Sequence, residues 1–263
     1  MTRLTRRQLL ALALGIVLTP RRAGAVPETR QGSFSADVGI LYGVLSFHLA
    51  GTIEETIDRA AGRYAVKIRG QGSDISNSVD TEGILHEGRW APVLTRSRSL
   101  VHGRETRLDM SYDHARRLVD YKSRSETFFL RRVRAAEDTV ALPPGTHVDD
   151  VMSATLNYAE QRWPPEADGT FRTHVVRRHR PKGEGADEVQ KRYHAELVPF
   201  VLRIAPDAGS GQPTALFDMT RFSSWALEDR PARIVFGPHR RPESITTSLM
   251  LGTSVAIRIT APA

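Results

Sequence analysis

Nine histidines are the residues of this chain best suited to hold a metal ion. They lie at positions 48, 86, 102, 114, 147, 174, 179, 194 and 239. No two of them have the H-x-H or H-E-x-x-H spacing that places both rings on one ion. A site assembled through the fold would need pairs from neighbouring runs, such as His174 with His194 or His86 with His102. The pattern favours histidines scattered over a sheet and its surface, so we predict neither a metal nor another cofactor.

Acidic and nucleophilic residues give no clearer catalytic motif. Asp149 and Asp150 are adjacent, but neighbouring residues of a helix point about 100° apart, so helix capping explains the pair better than shared catalysis does. Gly209-Ser210-Gly211 lacks the G-x-S-x-G frame of a hydrolase serine. Gly70-Gln71-Gly72 lacks the third glycine and the helix that a phosphate-binding loop needs. We therefore predict a protein that is not an enzyme, and keep a hydrolase with a dispersed site as the weakest hypothesis.

Arginine is unusually abundant, with 28 arginines and four lysines after residue 25. Three clusters are candidate contacts for an anionic partner, and they contain Arg131, Arg132, Arg177, Arg178, Arg240 and Arg241. Guanidinium groups match carboxylate and phosphate groups, which abound on the lipids and glycans of a cell envelope. A general preference for arginine over lysine, with strand residues facing water, is the simpler explanation.

Short runs in which apolar and polar residues alternate must position these histidines, acids and arginines. In RYAVKIRG, Tyr64, Val66 and Ile68 alternate with less apolar residues, which is typical of a strand with one wet face. RETRLDMSYD has the same pattern, and similar runs recur from residue 34 to 124 and from 171 to 259. Their spacing of about ten residues predicts an antiparallel meander, sandwich or barrel rather than βαβ units.

One helical segment interrupts these strands, and we predict it over about 147–163. Its apolar positions at helical spacing are Val148, Val151, Met152, Leu156 and Ala159. Thr146 is the expected N-cap, Asp149 and Asp150 complement the helix dipole in the first turn, and Pro164-Pro165 ends the helix. The predicted fold class is therefore mainly β, an antiparallel curved sheet or half-open barrel with one central helix.

A curved sheet around one helix leaves two alternatives for its interior. A barrel too wide to be filled by its own side chains has room for a ligand, and Met152, Leu156 and Tyr158 are then the candidate ligand contacts. The same helix could instead fill the space completely. The sequence does not decide between the two, nor does it give a ligand, a partner or an oligomeric state.

The first 25 residues have the features of a cleavable export signal. Arg6 and Arg7 precede an uncharged run from Gln8 to Leu18, which is shorter than the roughly 20 residues of a spanning helix. Ala23-Gly24-Ala25 is typical of a signal-peptide cleavage site, so Ala23 and Ala25 belong to the predicted signal. Thr5 to Leu10 is similar to a twin-arginine export motif, although Leu9 stands where phenylalanine is commoner and the general secretory route stays open.

Removal of this segment changes the charge balance. The chain carries +7, and removing the five leader arginines leaves +2. Near-neutrality and export both argue against nucleic acid as a partner. The chain has no cysteine, which excludes disulfides, thiolate metal sites and an N-terminal lipid anchor. We predict a signal peptide over 1–25, a linker over 26–32 and a single β-rich domain over 33–263. The signal peptide would bind the export machinery, and the mature chain would be a soluble periplasmic protein without a membrane span.

Several local signatures, taken in order, resemble the bacterial envelope proteins of the domain of unknown function 3108 family. The residues that carry the resemblance are Ile40 to Leu45 with Phe47, Gly83, Trp90 to Val93, Val148 to Ser153, and Trp225 to Ile234. The resemblance implies a periplasmic, mostly β, half-barrel-like fold around a helix, comparable to lipoprotein carriers. It implies no catalytic residue.

Two functions follow as the leading hypotheses. The first is a non-enzymatic periplasmic cell-envelope protein that binds a lipid or other amphipathic ligand in its curved sheet. The second is an envelope structural or interaction protein that binds a protein or an anionic glycan through its arginine clusters.

Overall fold

A computed structural model describes residues 26–40, 42–127, 129–181, 184–185, 187–220, 226–227 and 229–260. The predicted signal residues Arg6, Arg7, Ala23 and Ala25 lie outside these ranges. No helix in the described part of the chain is long and apolar enough to span a bilayer.

Fourteen antiparallel strands in these ranges form one sheet, and a single α-helix follows the eighth strand. In chain order the elements are β1 (Glu28–Ile40), β2 (Leu45–Asp58), β3 (Arg63–Gly72), β4 (Ile75–His86), β5 (Arg89–Val101), β6 (Arg104–Asp113), β7 (Leu118–Glu126), β8 (Val133–Ala141), α1 (Val151–Ala159), β9 (Thr170–Arg178), β10 (Ala195–Pro206), β11 (Pro213–Phe217), β12 (Ala232–Phe236), β13 (Pro242–Ser248) and β14 (Ser254–Thr260). Short 3-10 turns at Pro238–Arg240 and Met250–Gly252 connect β12 to β13 and β13 to β14.

Two meanders meet in the middle of this sheet. The spatial order is β8-β7-β6-β5-β4-β3-β2-β1-β14-β13-β12-β11-β10-β9, so the first and last strands pair with each other. The edge strands β8 and β9 lie at the two ends of that order. Buried side chains of β6, β7 and β8, such as Met110, Val119 and Ala136, share one apolar cluster with Val176 of β9 and Ala195 of β10. The sheet is therefore curled into a nearly closed barrel whose seam is packed by side chains.

The two ends of the barrel differ in what they carry. The upper end carries α1 and the β2–β3, β4–β5 and β6–β7 turns. The lower end carries the β1–β2, β3–β4, β5–β6, β7–β8 and β13–β14 turns. Because α1 joins β8 to β9 at the upper end, only that half of the interior receives a helix.

The predicted fold class, a mainly β curved sheet with one helix, is confirmed. In β3 the inward residues Tyr64 and Val66 are buried while Arg63 and Lys67 are exposed, as the alternation predicts. The predicted linker at 26–32 is too long, because Glu28 to Gly32 already belong to β1 and pair with Ile57 to Ile53 of β2.

The helix boundaries predicted as 147–163 are wrong, since α1 covers only Val151–Ala159. Its N-cap is Asp150 and not Thr146: the Asp150 carboxylate accepts from the Ser153 N–H at 2.7 Å, and the Ser153 hydroxyl caps the Asp150 N–H at 2.9 Å. This reciprocal arrangement is a capping box. Asp149 and Asp150 thus precede the first turn rather than lying in it, and Glu160 ends the helix before Pro164 is reached.

Candidate ligand-binding site

The polar residues that begin α1 tie it to three strands of the sheet. The Asp150 carboxylate accepts hydrogen bonds from the hydroxyls of Thr81 on β4 (2.5 Å) and Thr95 on β5 (2.7 Å). Thr81 and Thr95 face each other in the β4–β5 register. Helix capping, the expected role of Asp150, is therefore confirmed, and the same carboxylate also fixes the helix start against the sheet.

Asp149 is completely buried beside this cap. Its carboxylate accepts from Arg89 Nη2 at 2.8 Å and from the hydroxyl of Thr173 on β9 at 2.5 Å. It also accepts from Ser153 Oγ at 2.8 Å and Asn157 Nδ2 at 3.0 Å. Burial raises the pKa of Asp149 to about 6, although the Arg89 cation and the hydroxyl donors oppose the shift. Four donors around one enclosed carboxylate make Asp149 an internal anchor with no open face toward a substrate.

The middle and end of the helix are anchored to β5. The Asn157 side chain accepts from the Trp90 N–H at 2.7 Å and donates to the Trp90 carbonyl at 2.8 Å. Pairing of β5 with β6 begins only at Leu94. Asn157 therefore supplies the two hydrogen bonds that a neighbouring strand would otherwise make with the Trp90 backbone. Glu160 then accepts from Trp90 Nε1 at 3.0 Å and from Arg59 Nη2 at 2.7 Å.

This anchored helix fills the upper half of the barrel. Leu156 packs with Ile57, Tyr64, Val66 and Trp90 in one buried cluster. Tyr158 lies in a second cluster, with its ring 5.3 Å from Phe171 and 4.7 Å from Phe236, measured between centroids. Two of the three candidate ligand contacts, Leu156 and Tyr158, are therefore core residues. Met152 is only partly buried, and it packs against the Leu156 cluster, as Ile53 and Ile68 do.

Below the helix the inward-facing side chains are of two kinds. Those nearest the lower end form a third buried cluster of Ala36, Ile40, Phe47, Leu49 and Ile75, whereas those between this cluster and α1 keep part of their surface exposed. One row of the register runs Ile53–Ile68–Val79 across β2, β3 and β4. On the adjoining strands Phe34 pairs with Ile259 and Ala36 with Ile257. The partly exposed members of this surface, called the apolar wall, are Phe34, Ile53, Ile68, Val79, Ile257 and Ile259.

Phe34 can lie flat in this wall because the neighbouring strands β2 and β3 carry glycine beside it. A Cβ on Gly51 would lie 2.6 Å from Phe34 Cε1, and a Cβ on Gly70 would lie 2.9 Å from Phe34 Cζ. Gly51 and Gly70 pair directly between β2 and β3. The glycines therefore let an aromatic ring lie directly on the backbone.

The facing part of the interior is lined by small polar side chains. Val79 pairs with Ser97, and Asn77 pairs with Ser99, between β4 and β5. The rows continue to Ser123 and Ser125 on β7. The partly exposed members, called the polar wall, are Asn77, Ser97, Ser99, Ser123 and Ser125. We name the concave surface made by the apolar wall and the polar wall the lower trough.

The six candidate arginines do not form one basic rim. Arg177 pairs with Glu196 at 2.5 Å, and Arg178 pairs with Glu184 at 2.7 Å. Arg241 makes a two-pronged, largely buried ion pair with Glu55, at 2.6 and 2.8 Å. These three guanidinium groups thus hold the fold together.

The remaining three candidate arginines lie at two separate places. The guanidinium carbon of Arg240 lies 5.4 Å from the centre of the Tyr158 ring. Arg131 and Arg132 are exposed in the β7–β8 turn, where Arg131 pairs with Glu126 at 3.1 Å.

A different basic surface lies on the outer face of β6, β7 and β8, and the sequence clusters did not include it. A groove of about 450 Å³ is lined there by Arg107, Lys122, Arg124, Lys191 and Arg192, with Asp109 and Glu137 as its acids. Lys122 pairs with Glu137 at 2.6 Å. Arg98, Arg107 and Arg124 lie directly opposite one another on β5, β6 and β7. Only their pairing register, which separate runs do not display, could have revealed this row.

The histidines lie in several separate places. His174 lies on β9 and His194 just before β10, where its ring stacks on His179 at 4.4 Å. His86 ends β4 at the upper end and stacks on His114 at 4.9 Å, whereas His102 lies in the lower β5–β6 turn. Among the described residues, no three of His, Cys, Asp or Glu are placed to hold a metal ion.

His147 is the histidine most changed by its surroundings. Its Nε2 atom is buried and has no hydrogen-bond partner among the described residues. Burial, with the nearby Arg89 cation, lowers the pKa of His147 to about 4. The ring is therefore neutral at ordinary pH, and it packs beside the Asp149 anchor without bonding to it.

Comparisons with known proteins assign no function to the chain. No protein-family model matches the chain, and no curated protein matches it. Among the solved structures that match is the crystal structure of a β-barrel-like protein of domain of unknown function DUF1849 from Brucella abortus. It is 12% identical over 89% of this chain and 97% of that chain, with a TM-score of 0.42. The resemblance to the 3108 family is not tested by these findings and stays a prediction.

Proposed function

We propose that this protein is a non-enzymatic periplasmic protein of the cell envelope that holds a lipid or other amphipathic ligand in the lower trough. The observation that carries the proposal is the incomplete burial of inward-facing side chains below α1, including Ile53, Ile68 and Ile257. Apolar side chains on a concave surface gain free energy when they are covered, by about 25 cal/mol per Å². A ligand would supply the cover that α1 supplies in the upper half.

The two walls indicate the chemistry of this ligand. The apolar wall suits a hydrocarbon chain, because it offers no hydrogen-bonding side chain. The polar wall offers hydroxyl groups and one amide, which can donate to or accept from an ester, a hydroxyl group or an amide. Ligand sites commonly combine an apolar lining with a few such polar groups, so an amphipathic molecule fits better than a purely polar one.

The envelope location rests on the predicted export signal of the first 25 residues. Lipids and acylated molecules are the abundant amphipathic compounds of an envelope, and one that crosses an aqueous compartment needs its chains covered. The fully enclosed Asp149 and Asp150 have no access to such a ligand, which supports a holding role over a catalytic one.

The test is to purify the protein and identify bound molecules by native mass spectrometry and by extraction into organic solvent. The variant Asn77→Phe places a ring in the polar wall and is expected to displace the ligand. Ser78→Phe is the matched control, because Ser78 is the next residue of β4 and faces the opposite side of the sheet. We expect extracted lipid from the wild type and from Ser78→Phe, and about tenfold less from Asn77→Phe.

Two results would contradict the proposal. One is repeated absence of a bound molecule from the wild type, also after incubation with phospholipid or free fatty acid. The other is equal loading of Asn77→Phe and Ser78→Phe, which would place the bound molecule elsewhere on the protein.

The second candidate function, binding of an anionic glycan or protein, is supported by the outer basic groove. Arg124, Lys191 and Arg192 are exposed and have no acidic partner within 4.0 Å among the described residues. Charge reversal by Lys191→Glu together with Arg192→Glu is expected to abolish retention on an immobilised anionic polysaccharide. Unchanged retention would exclude the groove, and Arg63→Glu, at an exposed position on β3, is the control.

A further inference from the structure

Among the described residues, several of the most exposed large apolar side chains lie at the lower end of the barrel, although Val26 and Val151 are exposed elsewhere. In the β1–β2 turn Tyr42 is 83% exposed and Val44 is 79% exposed. In the β7–β8 turn Leu130 is 59% exposed, and Phe129 beside it is also open to solvent. Soluble surfaces carry single apolar residues commonly, but contiguous groups at one end mark an interaction site.

The first of these tips, formed by Tyr42, Val44 and Met250, has a defined shape. Met250 is exposed in the neighbouring β13–β14 turn. A Cβ on Gly252 would lie 2.3 Å from Tyr42 Cδ1, so glycine lets the Tyr42 ring lie against this turn. Its other face is left open. We name Tyr42, Val44 and Met250 the central tip.

The second tip, formed by Phe129 and Leu130, is fixed through its backbone by Asp187. The Asp187 carboxylate accepts from the backbone N–H groups of Phe129 at 3.0 Å and Leu130 at 2.7 Å. Burial works against the charge of Asp187, but these bonds outweigh it and lower the pKa of that carboxyl. The turn therefore presents two apolar side chains outward from a fixed backbone. We name Phe129 and Leu130 the seam tip.

The two tips lie on opposite sides of the lower opening. The central tip extends from β1, in the middle of the strand order, while the seam tip extends from β8, at one edge that closes against β9 and β10. In a nearly closed barrel the middle strand faces the seam. A flat apolar surface could therefore contact both tips at once and would then lie against the lower end of the barrel.

Arginines accompany the seam tip. Arg131 and Arg132 are exposed in the same turn, and Arg124 is exposed on β7 just above it. Apolar side chains flanked by cations match an anionic bilayer, where the chains enter the acyl boundary and the cations contact phosphate groups. A folded protein partner would match the apolar tips but gives no reason for the arginines, and a soluble glycan would match only the arginines.

We propose that the lower end of the barrel docks on an anionic phospholipid membrane through the central tip and the seam tip. This contact would bring the barrel to the membrane that is the source or destination of its ligand. The inference goes beyond ligand holding and is tested separately from it, because vesicle binding is measured whether or not the trough is loaded.

The experiment is co-flotation with vesicles of equal parts phosphatidylglycerol and phosphatidylethanolamine, compared with phosphatidylcholine vesicles. It uses the full chain and a chain that begins at Val26, so that the apolar run at 8–18 cannot account for binding. The variants are Phe129→Ser with Leu130→Ser, and Tyr42→Ser with Val44→Ser. Leu216→Ser is the matched control, since Leu216 is 50% exposed on β11, away from both tips.

We expect the wild type and Leu216→Ser to float with anionic vesicles, and each tip variant to bind about tenfold more weakly, because each loses apolar area that enters the membrane. Arg132→Glu is expected to weaken binding further and to reduce its salt dependence. Circular dichroism and thermal unfolding report that each variant is folded, as expected for exposed positions.

Three outcomes would overturn the proposal. They are no flotation of the wild type that begins at Val26, equal flotation of the tip variants and Leu216→Ser, and equal binding to neutral and anionic vesicles. Loss of lipid from Asn77→Phe without loss of flotation would keep this inference separate from the proposed function.

Discussion

The upper and lower halves of the barrel are built from the same strands but are completed in different ways. In the upper half α1 covers the inner face, and Ile57, Tyr64, Val66 and Trp90 are buried beneath it. At the lower margin of this cluster the same strands carry Ile53 and Ile68 inward, and both are partly exposed. Alternation along a strand therefore decides which face is apolar. Whether that face is covered depends on α1, which lies in a distant part of the chain.

Polar contacts, more than apolar ones, fix the position of α1 along the barrel. The helix is held by carboxylate and amide groups that bond to Thr81, Thr95, Thr173 and Trp90. Buried polar groups must be satisfied, so these partners allow only one placement of α1 along the barrel. In the described part of the chain the lower half receives no second α-helix, and its polar wall is made of small residues such as Ser97 and Ser99.

The largest expected effect comes from breaking the helix anchor in the upper half. Asn157→Leu would leave the buried N–H and carbonyl of Trp90 unpaired, at a cost of about 3–5 kcal/mol in the free energy of unfolding. Thr155→Leu places the same side chain at a more exposed position of α1 and is expected to cost less than about 0.5 kcal/mol. Urea unfolding measures both. Equal effects would mean that Asn157 is not the anchor.

A matched pair of isoleucines tests the difference between the halves directly. Ile57 is 1% exposed under the helix, and Ile57→Ala is expected to cost about 3–4 kcal/mol because it leaves a cavity. Ile68→Ala removes the same atoms from the apolar wall of the lower trough and is expected to cost about 1 kcal/mol, since solvent already reaches the site. Chemical unfolding of the two variants is the measurement. A larger loss for Ile68→Ala would show that the lower half is as tightly packed as the upper half.

Titration sharpens the comparison, since His147 and Asp149, two groups with shifted pKa values beside α1, lie in the upper half. The pKa of His147 is lowered from 6.5 to about 4, so the stability gained by its neutral form is lost as the pH falls from 6.5 to 4. The pKa of Asp149 is raised from 3.8 to about 6, so its contribution runs the other way and is lost as the pH rises through that range. The two effects offset each other in the wild type.

Replacing His147 should separate its contribution to the pH dependence of stability from that of Asp149. As the pH falls from about 6.5 to about 4, the wild type is expected to lose about 1–2 kcal/mol relative to His147→Gln, a value reduced for the partial exposure of the ring. Unfolding free energies at the two pH values give the difference. A constant difference, or one of opposite sign, would contradict the buried, neutral state of His147.

The smallest expected effect concerns the outer face, where the two halves are continuous. Lys67, Asp80, Arg96, Asp109 and Lys122 lie opposite one another in a row of alternating charge. One row lower, Arg98, Arg107 and Arg124 place like charges opposite one another.

Like charges across a strand pair are unfavourable, so Arg124→Glu is expected to raise the unfolding midpoint by about 1 °C. Lys122→Glu, the control in the alternating row, is expected to lower it by about 1 °C. Scanning calorimetry resolves both signs. A decrease in the midpoint for Arg124→Glu would mean that its guanidinium group stabilises the fold.

Much of the fold was predictable because strands and turns leave local signals. The alternation in RYAVKIRG and RETRLDMSYD predicts β3 and β6, and the two closing runs predict β13 and β14. The strands β8 and β11 were not predicted. β8 carries the small residues Ala135, Ala136 and Ala141 on both of its faces, and β11 has only five residues, so neither shows a clear period.

The site was less predictable because it depends on pairing between distant strands. The composition of the polar wall is visible only once Asn77 is opposite Ser99 and Val79 is opposite Ser97. The helix was placed correctly but drawn too long, since the residues that end it, Asp150 and Glu160, act through Thr81, Thr95 and Trp90. Those partners lie 55 to 70 positions away along the chain.

The pairing of β1 with β14 has a consequence for how the molecule is made. Every other neighbouring pair of strands in the sheet joins consecutive strands of the chain, so both meanders can form as their residues emerge. The contact between them joins residues 33–39 to residues 254–260 and must wait for the last strand. Until then β1 is an open edge, which invites pairing with other chains. Synthesis of the final seven-residue strand is therefore the step at which a pair of separate sheets becomes one barrel.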